Sequence, residues 1–255
     1  MAIMEEKKPY LSVVIPAYNE AERIPTTLLD IDKKLHDAPF EYEVLVVNDG
    51  SKDNTAEVVS KMEKDVKNLR LVDNKDNKGK GGVVKQGMLD EAKGDIRLFM
   101  DADNATSIDH FMIMKSYFEE GYQIVIGSRA ARGARLEPPE QWYRQLAGKG
   151  GNLLIQAVNL PGIWDTQCGF KAFTEEATKE IFSRIKTKGW GFDIELLALG
   201  RALGYKIKEI PVRWVAAGGS KVGLKAYLKV FQENFKIRWW FLTGKYGVKR
   251  RLPVF

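Results

Sequence analysis

The sequence predicts an α/β protein, with a mostly parallel sheet covered by helices on both faces, and three observations support this fold. Apolar runs rich in β-branched residues, such as YLSVVIPAY (10–18), alternate with segments of helical periodicity through residues 10–130. These runs are apolar along almost their whole length, as expected of strands buried on both faces. The 255 residues, 44% hydrophobic and 29% charged, suit one large soluble domain with an appendage.

The predicted elements follow in strand–helix order. The first five strands are YLSVVIPAY, YEVLVVNDG, LRLVDN, DIRLFMD and YQIVIGSR, separated by the helices NEAERIPTTLLDIDKKLHD, KDNTAEVVSKMEKDV, KGKGGVVKQGMLDEAK and IDHFMIMKSYFEEG. After residue 130, GARLEPPEQ is a predicted loop, and WYRQLAGKGGNLLIQAVN, TEEATKEIFSRI and WGFDIELLALGRALG are predicted helices. WDTQCGFKAF contains a turn and a short strand, and YKIKEIPVRWV is the last predicted strand.

The charge distribution sets the C-terminal segment apart. Residues 219–255 hold nine Lys and Arg but one acid, Glu233, so their formal net charge is +8. Because the whole chain carries +6, residues 1–218 carry −2. Within this segment an apolar face follows helical spacing, beside lysines and two tryptophans; its members are Leu224, Leu228, Phe231, Phe235, Trp239 and Leu242. We therefore predict a main domain at 1–218 and an amphipathic membrane-interface tail at 219–255. A helix packed on the core is the alternative.

Composition excludes several classes of protein. The single cysteine, Cys168, excludes an intrachain disulfide and fits a reducing compartment. Two histidines argue against a His-rich metal site. No run is apolar and long enough to serve as a signal peptide or to span a bilayer, so we expect a peripheral protein on the cytoplasmic side of a membrane.

Two carboxylates, Asp101 and Asp103, follow the fourth predicted strand. Carboxylates at the end of a buried strand repel each other and lose hydration, which a cation would offset. We predict that both bind Mg²⁺ or Mn²⁺ together with diphosphate oxygens. The alternative is capping of the following helix, for which Ser107 and Asp109 are better placed.

Other polar residues collect at the same ends of the predicted strands, where ligands bind in such sheets. Asp49 in VVNDGS is placed to contact a nucleoside, although Asn-Asp-Gly is also an ordinary turn sequence. NKGKGG (77–82) offers backbone N–H groups and Lys80 to an anion, or forms a simple glycine-rich loop. The arginines Arg129, Arg132, Arg135 and Arg144 suggest a second phosphate site, with solvated surface charge as the alternative. Trp190 and Phe192 are typical of a core, and Asp193 would cap its helix.

In this order, SVVIPAYNE, VVNDGSKDNT, NKGKGG and DADNAT resemble the nucleotide-binding half of family 2 of the inverting nucleotide-sugar glycosyltransferases, which have a GT-A fold. The resemblance runs from about Leu11 to Lys221. IGSRAARGAR, DTQCGFKAF and WGFDIELL most resemble the polyprenyl-phosphate hexosyltransferases, in particular the dolichyl-phosphate β-glucosyltransferase branch, with the mannose synthase branch nearby. The mannose synthases carry a Gln metal ligand where this chain has Ala105, so water or Asn104 would complete the metal shell.

The resemblance implies a role for each matching position. The residues implied for the nucleotide pocket are Pro16, Ala17, Tyr18, Glu20 and Asp49. Asp101 would reach the ribose or diphosphate and Asp103 the metal, while Arg129 and Arg144 would hold the lipid phosphate. Arg213, Ser220 and Lys221 would lie on a mobile loop that closes over the donor diphosphate.

The implied reaction is metal-dependent transfer of a hexose, with inversion, from a nucleotide diphosphate sugar to a polyprenyl or dolichyl phosphate. UDP-glucose is the leading donor and GDP-mannose the alternative. A family 2 transferase with a protein or polysaccharide acceptor is a second alternative, and a nucleic-acid-binding protein using the basic tail is a third. The slightly acidic remainder and the tail's tryptophans argue against nucleic acid.

Overall fold

Seven of the nine strands form the main sheet in the computed structural model, which describes residues 7–138, 142–216 and 224–248. In chain order the strands are β1 (Leu11–Ala17), β2 (Tyr42–Asp49), β3 (Leu69–Asn74), β4 (Ile96–Met100), β5 (Ile124–Ser128), β6 (Arg135–Glu137), β7 (Phe170–Thr174), β8 (Ile207–Pro211) and β9 (Arg213–Val215). The main sheet has the order β3-β2-β1-β4-β7-β5-β8, and β6 pairs with β9 in a second, small sheet. The predicted mostly parallel sheet is confirmed.

Helices cover both faces of this sheet. They are α1 (Ile24–Leu35), α2 (Thr55–Met62), α3 (Lys80–Lys85), α4 (His110–Glu119), α5 (Trp142–Val158), α6 (Glu175–Phe182), α7 (Phe192–Ala202) and α8 (Leu224–Leu242), and a π-helical turn at Gln86–Glu91 continues α3. Two hydrophobic clusters result, one on each face. Val14 of β1 belongs to the first cluster and its neighbour Val13 to the second, as the alternation of side chains along a strand requires.

One strand of the main sheet runs against its neighbours. β7 lies between β4 and β5 and is antiparallel to both, with Met100 opposite Phe170. Its first residues therefore lie at the edge where β1, β2, β4 and β5 end. This edge receives the loop that precedes β7 as well as the loops that follow the parallel strands.

The last predicted strand and the predicted loop before α5 differ from the observed structure. YKIKEIPVRWV divides into β8, which pairs with β5, and β9, which pairs with β6. β6 itself lies within GARLEPPEQ, which the two prolines had marked as a loop. A strand of three residues carries too short a pattern to be recognised, and its pairing with β9 depends on contacts distant in sequence.

Part of α8 packs on the hydrophobic core of the main domain. Val230, Ile237 and Phe241 belong to the same hydrophobic cluster as the sheet residues, and Asn234 is fully buried. Leu228, Phe235, Trp239 and Leu242 are exposed instead. The boundary at 218/219 and the interfacial role of the tail therefore remain predictions. No helix in the described ranges is both long and apolar enough to cross a bilayer.

Candidate active site

Asp101 follows β4 and is held from two sides. Its carboxylate Oδ1 lies 2.6 Å from the Nζ of Lys80 at the start of α3. Its backbone N–H donates to the carbonyl of Gly169, at 3.0 Å. A Cβ at position 169 would overlap the Asp101 carboxylate, so only glycine leaves room for this group. The antiparallel pairing of β4 with β7 thus fixes the position of Asp101.

Asp103 lies two residues further, in a tight turn. Asn104 adopts the left-handed conformation, with a φ of 52°, and the N–H of Ala105 donates to Asp103 Oδ1 at 3.1 Å. Burial and then the negative charge of Asp101 raise the pKa of Asp103. Two carboxylates that destabilise each other's charge in a partly buried turn favour the binding of a cation.

The residues present fit a hard divalent cation that is shared with a ligand. Carboxylate oxygens from Asp101 and Asp103 suit Mg²⁺ or Mn²⁺. No cluster of three or more His, Cys, Asp or Glu side chains suited to a metal occurs among the described residues, so most of the coordination would come from diphosphate oxygens and water. Asn104 donates from Nδ2 to Asp30 of α1 at 3.0 Å, which directs its amide toward that helix.

A cavity of about 440 Å³ opens beside Lys80, the ion-pair partner of Asp101. It is lined by Tyr18, Asp49, Asn77, Lys78, Gly79, Lys80, Lys188, Gly189, Trp190 and Lys229. The structure thus brings the predicted residues Tyr18, Asp49 and Lys80 together in one cavity at the ligand edge of the sheet. Pro16 and Ala17 end β1 at the same edge, and Ala17 is buried.

Asp49 is a buried carboxylate at the end of β2. It accepts a hydrogen bond of 2.6 Å from the backbone N–H of Lys78. Burial raises the pKa of Asp49, and the backbone N–H groups of Lys78 and Gly79 oppose this rise. The carboxylate therefore ties the turn before α3 to the end of β2.

The glycines of NKGKGG pack against a neighbouring loop instead of presenting open backbone donors. The N–H of Gly81 donates to the carbonyl of Lys188 at 3.0 Å, and the N–H of Gly79 donates to Asn77 Oδ1 at 3.1 Å. A Cβ at Gly81 would lie 2.7 Å from the Thr187 carbonyl. The contacts of these two glycines favour the packed glycine loop over the backbone anion site. The cation of this segment that pairs with Asp101 is Lys80.

Lys80 is surrounded by groups that favour its charged form. Its Nζ lies 5.3 Å from the centroid of the Trp190 ring, in addition to the ion pair with Asp101. Burial alone would lower the pKa of Lys80, but the charges of Asp101 and Asp193 raise it overall. The ammonium group stays protonated at neutral pH.

Glu20 lies at this edge with its carboxylate engaged. It forms two hydrogen bonds of 2.7 Å with the guanidinium of Arg23. Its backbone N–H donates to Thr55 Oγ1, and that of Asn19 donates to Ser51 Oγ, both at 2.9 Å. These contacts join the loop after β1 to the loop after β2.

Arg129, directly after β5, forms the second part of the site. Its guanidinium makes a bidentate pair with Asp165, with Nε–Oδ2 at 2.7 Å and Nη2–Oδ1 at 2.9 Å. Asp165 is buried, which opposes its ionisation, but the Arg129 charge and hydrogen bonds outweigh this and lower its pKa. Arg129 also lies 5.9 Å from the Trp214 ring centroid. The orientation of Arg129 is therefore fixed.

The loop that precedes β7 joins the two parts of the site. Asp165 at its start holds Arg129, and Gly169 at its end lies against Asp101. Glu209 of β8 accepts the N–H groups of Trp164 at 2.9 Å and Asp165 at 3.0 Å. We expected no role for Asp165 or Gly169, although both stand in the DTQCGFKAF segment that carries the resemblance.

The remaining predicted residues lie elsewhere or outside the described residues. Arg213 lies in β9 and not on a loop, and its exposed guanidinium pairs with Glu137 at 2.6 Å. Arg144 belongs to α5, but its side chain is outside the described part of the structure, as are Ser220 and Lys221. β9 borders the site because the N–H of Val215 donates to the carbonyl of Ala105, at 2.8 Å.

Comparison with known proteins agrees with this arrangement. A family profile described as Glycosyl transferase family 2 matches residues 12–182, a range that includes Asp49, Asp101, Asp103 and the Arg129–Asp165 pair. The chain belongs to glycosyl transferase family 2. It is therefore a glycosyltransferase.

Similarity to curated proteins extends over nearly the whole chain. A dolichyl-phosphate beta-glucosyltransferase of Trichomonas vaginalis is 38% identical over 98% of this chain and 79% of its own length. The dolichyl-phosphate beta-glucosyltransferase of Dictyostelium discoideum is 37% identical over 97% of this chain and 81% of its own length. Glucosyl-3-phosphoglycerate synthase of Mycobacterium tuberculosis, crystallised with Mn²⁺, UDP and glucosyl-3-phosphoglycerate, superposes with a TM-score of 0.65. It is 19% identical, and the match covers 95% of this chain and 82% of that chain, which confirms the GT-A fold.

Proposed function

We propose that this family 2 enzyme transfers glucose from UDP-glucose to dolichyl phosphate and forms a β-linked glucosyl phospholipid. The relatives that match over most of the chain carry the name of this activity. The observation that carries the proposal is the Arg129–Asp165 pair, which holds a fixed guanidinium on the other side of the Gly169 loop from Asp101. A guanidinium that is held in a fixed orientation suits the binding of a phosphate acceptor.

A phosphate acceptor also explains why the site needs no general base. A phosphate monoester has a second pKa of about 6, so at neutral pH it is already a dianionic nucleophile. Asp193, a carboxylate close enough to influence Lys80, is buried and occupied by an ion pair with Lys171. A hydroxyl acceptor would require such a base.

On the donor side, the residues act on the leaving group. Asp101 and Asp103 would hold Mg²⁺ or Mn²⁺, which would supply Lewis-acid stabilisation to the departing diphosphate. Lys80 places a positive charge beside Asp101, and Tyr18, Asp49 and Trp190 line the nucleotide cavity. Cations already in position stabilise the charge that develops on the nucleoside diphosphate.

On the acceptor side, Arg129 would bind the lipid phosphate and screen its charge from the diphosphate. Direct attack by the phosphate oxygen on the anomeric carbon would break the bond to the nucleoside diphosphate and invert the configuration. An α-linked donor would thus give a β-linked product. Arg144, Arg213, Ser220 and Lys221 are further candidates for contacts with the two phosphate groups.

The lipid acceptor requires contact with a membrane, and α8 offers a surface for it. Its exposed apolar residues recur at helical spacing, with Phe235 53% and Trp239 60% exposed. Lys229 and Lys236 flank them, and Lys236 lies 4.9 Å from the Trp240 ring. An apolar face beside lysines and tryptophans suits binding to an anionic lipid surface. We place the enzyme peripherally, on the cytoplasmic side.

A donor screen tests the reaction. The purified protein is incubated with Mg²⁺ or Mn²⁺, dolichyl phosphate and radiolabelled UDP-glucose or GDP-mannose, and label in the organic phase is counted. We expect metal-dependent label from UDP-glucose and a loss of about 10²-fold or more in Asp103→Asn. Lipid label from GDP-mannose but not from UDP-glucose would show that GDP-mannose is the donor. Donor hydrolysis without lipid label would favour a protein or polysaccharide as the acceptor.

Vesicle sedimentation tests the membrane surface. We expect the wild-type protein to bind anionic vesicles in a salt-sensitive manner, and Phe235→Ser/Trp239→Ser to bind more weakly, because the two side chains contribute exposed apolar area. Gln232→Ser, also exposed on α8, is the matched control. Equal binding by all three proteins would contradict the proposal that this face of α8 binds lipid. Tighter binding to DNA or RNA than to vesicles would favour the nucleic-acid alternative.

A further inference from the structure

One wall of the nucleotide cavity is formed by the loop between α6 and α7, here called the 186–191 loop. Lys188, Gly189 and Trp190 of this loop line the cavity. The Lys188 carbonyl accepts the N–H of Gly81, and the Trp190 ring lies under the Lys80 ammonium. The position of this loop therefore determines where Lys80 and the glycine turn stand.

The 186–191 loop is held from the C-terminal helix. Oε2 of Glu233, on α8, accepts the N–H of Gly191 at 2.7 Å. Added Cβ atoms at Gly189 and Gly191 would both collide with Glu233. Glycine at these two positions therefore allows the carboxylate to approach the loop backbone closely. Glu233 is also the only acid among residues 219–255.

A second contact from the C-terminal segment reaches the other end of the loop. Glu195 of α7 is fully buried and accepts the N–H groups of Lys186 at 3.0 Å and Thr187 at 2.8 Å. Tyr246, which follows α8, donates from its hydroxyl to the same carboxylate at 2.6 Å. Both ends of the loop are thus connected to residues beyond position 219.

The helix itself has a fixed position on the core. Asn159 of α5 donates from Nδ2 to the carbonyl of Asn234 at 2.8 Å and to its Oδ1 at 2.7 Å. Ile237 and Phe241 are buried on the same side of α8. Lys229, one turn before Glu233, lines the nucleotide cavity. The helix is therefore both the support of the loop and part of the cavity rim.

We propose that α8 is a wall of the donor site and that Glu233 is a positioning residue for nucleotide-sugar binding, acting through the 186–191 loop. This inference rests on the proposed function in one respect, that the cavity receives a nucleotide sugar. It gives the C-terminal segment a role in donor binding that does not require a membrane. The same helix can then present one face to lipid and use another to shape the donor pocket.

Donor binding without lipid tests the inference. UDP-glucose binding is measured by calorimetry with Mg²⁺ and no acceptor for wild type, Glu233→Ala, Glu233→Gln and Gln232→Ala. Steady-state assays then give separate KM values for donor and acceptor. We expect Glu233→Ala to weaken donor binding about tenfold, because a charge-assisted hydrogen bond to the loop is lost. Glu233→Gln retains an acceptor for the Gly191 N–H and should recover most of the affinity. Gln232→Ala, exposed on the same helix, should match wild type.

Two outcomes of these measurements would overturn the role of Glu233. Unchanged donor affinity in Glu233→Ala, or equal rises in donor and acceptor KM, would show that Glu233 does not position the donor site. If Glu233→Ala fails to fold by circular dichroism, Gly191→Ala applies the same test from the loop side, since its Cβ would lie 2.7 Å from Glu233 Cβ. Donor binding without lipid glucosylation would contradict the proposed acceptor alone and leave the Glu233 comparison decisive. Absence of nucleotide-sugar binding by the wild-type protein would overturn both.

Discussion

Lys171 and Asp193 form a buried ion pair that joins β7 to the first turn of α7. The Lys171 Nζ lies 2.6 Å from Asp193 Oδ1, and their side chains are 0% and 5% exposed. Nζ also donates to the Cys168 carbonyl at 2.5 Å and lies 5.4 Å from the centroid of the Phe99 ring. Lys171 thus fixes the end of the loop that carries Gly169, as well as the helix that follows the 186–191 loop.

Removal of one partner of this pair should be costly. We expect Lys171→Met to lower the free energy of unfolding by about 3–5 kcal/mol, because it leaves the Asp193 carboxylate buried without its ion-pair partner. Lys171→Met/Asp193→Leu should recover much of that loss, since it removes both charges. Urea denaturation of the wild type and of the single and double variants measures the coupling. A double variant less stable than Lys171→Met would contradict this account.

Gly169→Ala should abolish activity while the protein stays folded. The added methyl group would overlap the Asp101 carboxylate, so Asp101 must move away from Lys80. We expect at least about a 10²-fold loss of lipid glucosylation, because small displacements at a reacting site are this costly. Gly150→Ala is the control, since a Cβ there meets nothing within 4 Å. Near-normal activity in Gly169→Ala would mean that the position of Asp101 is not critical.

Arg129→Lys should weaken acceptor use selectively. Lysine cannot form the bidentate pair with Asp165, so the cation loses its fixed orientation. We expect the KM for dolichyl phosphate to rise about tenfold and the KM for the donor to stay near wild type. Arg184→Lys, the same change at an arginine that pairs with Glu180 of α6, is the control. An increase confined to the donor KM would show that Arg129 acts in donor binding instead of acceptor binding.

Glu175 should contribute to stability in acid. Hydrogen bonds from Lys179 and then Lys8 lower its pKa from 4.5 to about 2. Because the folded-state pKa is depressed, the stabilisation is present above pH 4.5 and is lost as the pH falls toward 2. Glu175→Gln should therefore show a shallower fall of Tm over this range than wild type. The effect at neutral pH should stay below about 1 kcal/mol, because the group is partly exposed.

The control for this acid effect is Glu176→Gln. Glu176 is exposed in the same first turn of α6, and its profile of Tm against pH should follow that of wild type. Parallel profiles for all three proteins would show that the ion pairs of Glu175 do not contribute.

Cys168 should be inert in the folded protein. Burial and then the charge of Asp165 raise the pKa of its thiol to about 12, so the reactive thiolate is scarce at pH 8. We expect no alkylation by iodoacetamide under native conditions and complete alkylation in urea, measured by mass spectrometry. Rapid native alkylation would indicate that the loop before β7 opens to solvent.

The first five strands could be predicted because each is a local apolar run that ends in turn residues. The position of β7 could not be predicted, since insertion of an antiparallel strand between β4 and β5 depends on pairing that no local pattern encodes. Lys171 illustrates the difficulty. A lysine in FKAF gives no sign that its charge will be buried against a residue 22 positions away.

The candidate site also combines features that local sequence patterns predict with features that depend on contacts between distant residues. The placement of Asp49, Asp101 and Asp103 at the ligand edge could be predicted because they stand at or just after the end of an apolar run. The contact of Glu233 with the cavity wall could not be predicted, since it depends on glycines that meet it across the fold. The tail was predicted as an appendage because its composition differs from the rest of the chain. Composition does not reveal that one face of a helix completes a pocket.

The reversed direction of β7 has a consequence for how this enzyme can be altered. Donor-side groups follow parallel strands, whereas the Asp165–Gly169 loop precedes a strand that enters the sheet from the opposite end. The length of chain between α5 and Asp165 can therefore change without shifting the register of β1, β2 or β4. Redesign of acceptor choice would begin in this connection after Asn159, since Asn159 holds α8 through Asn234.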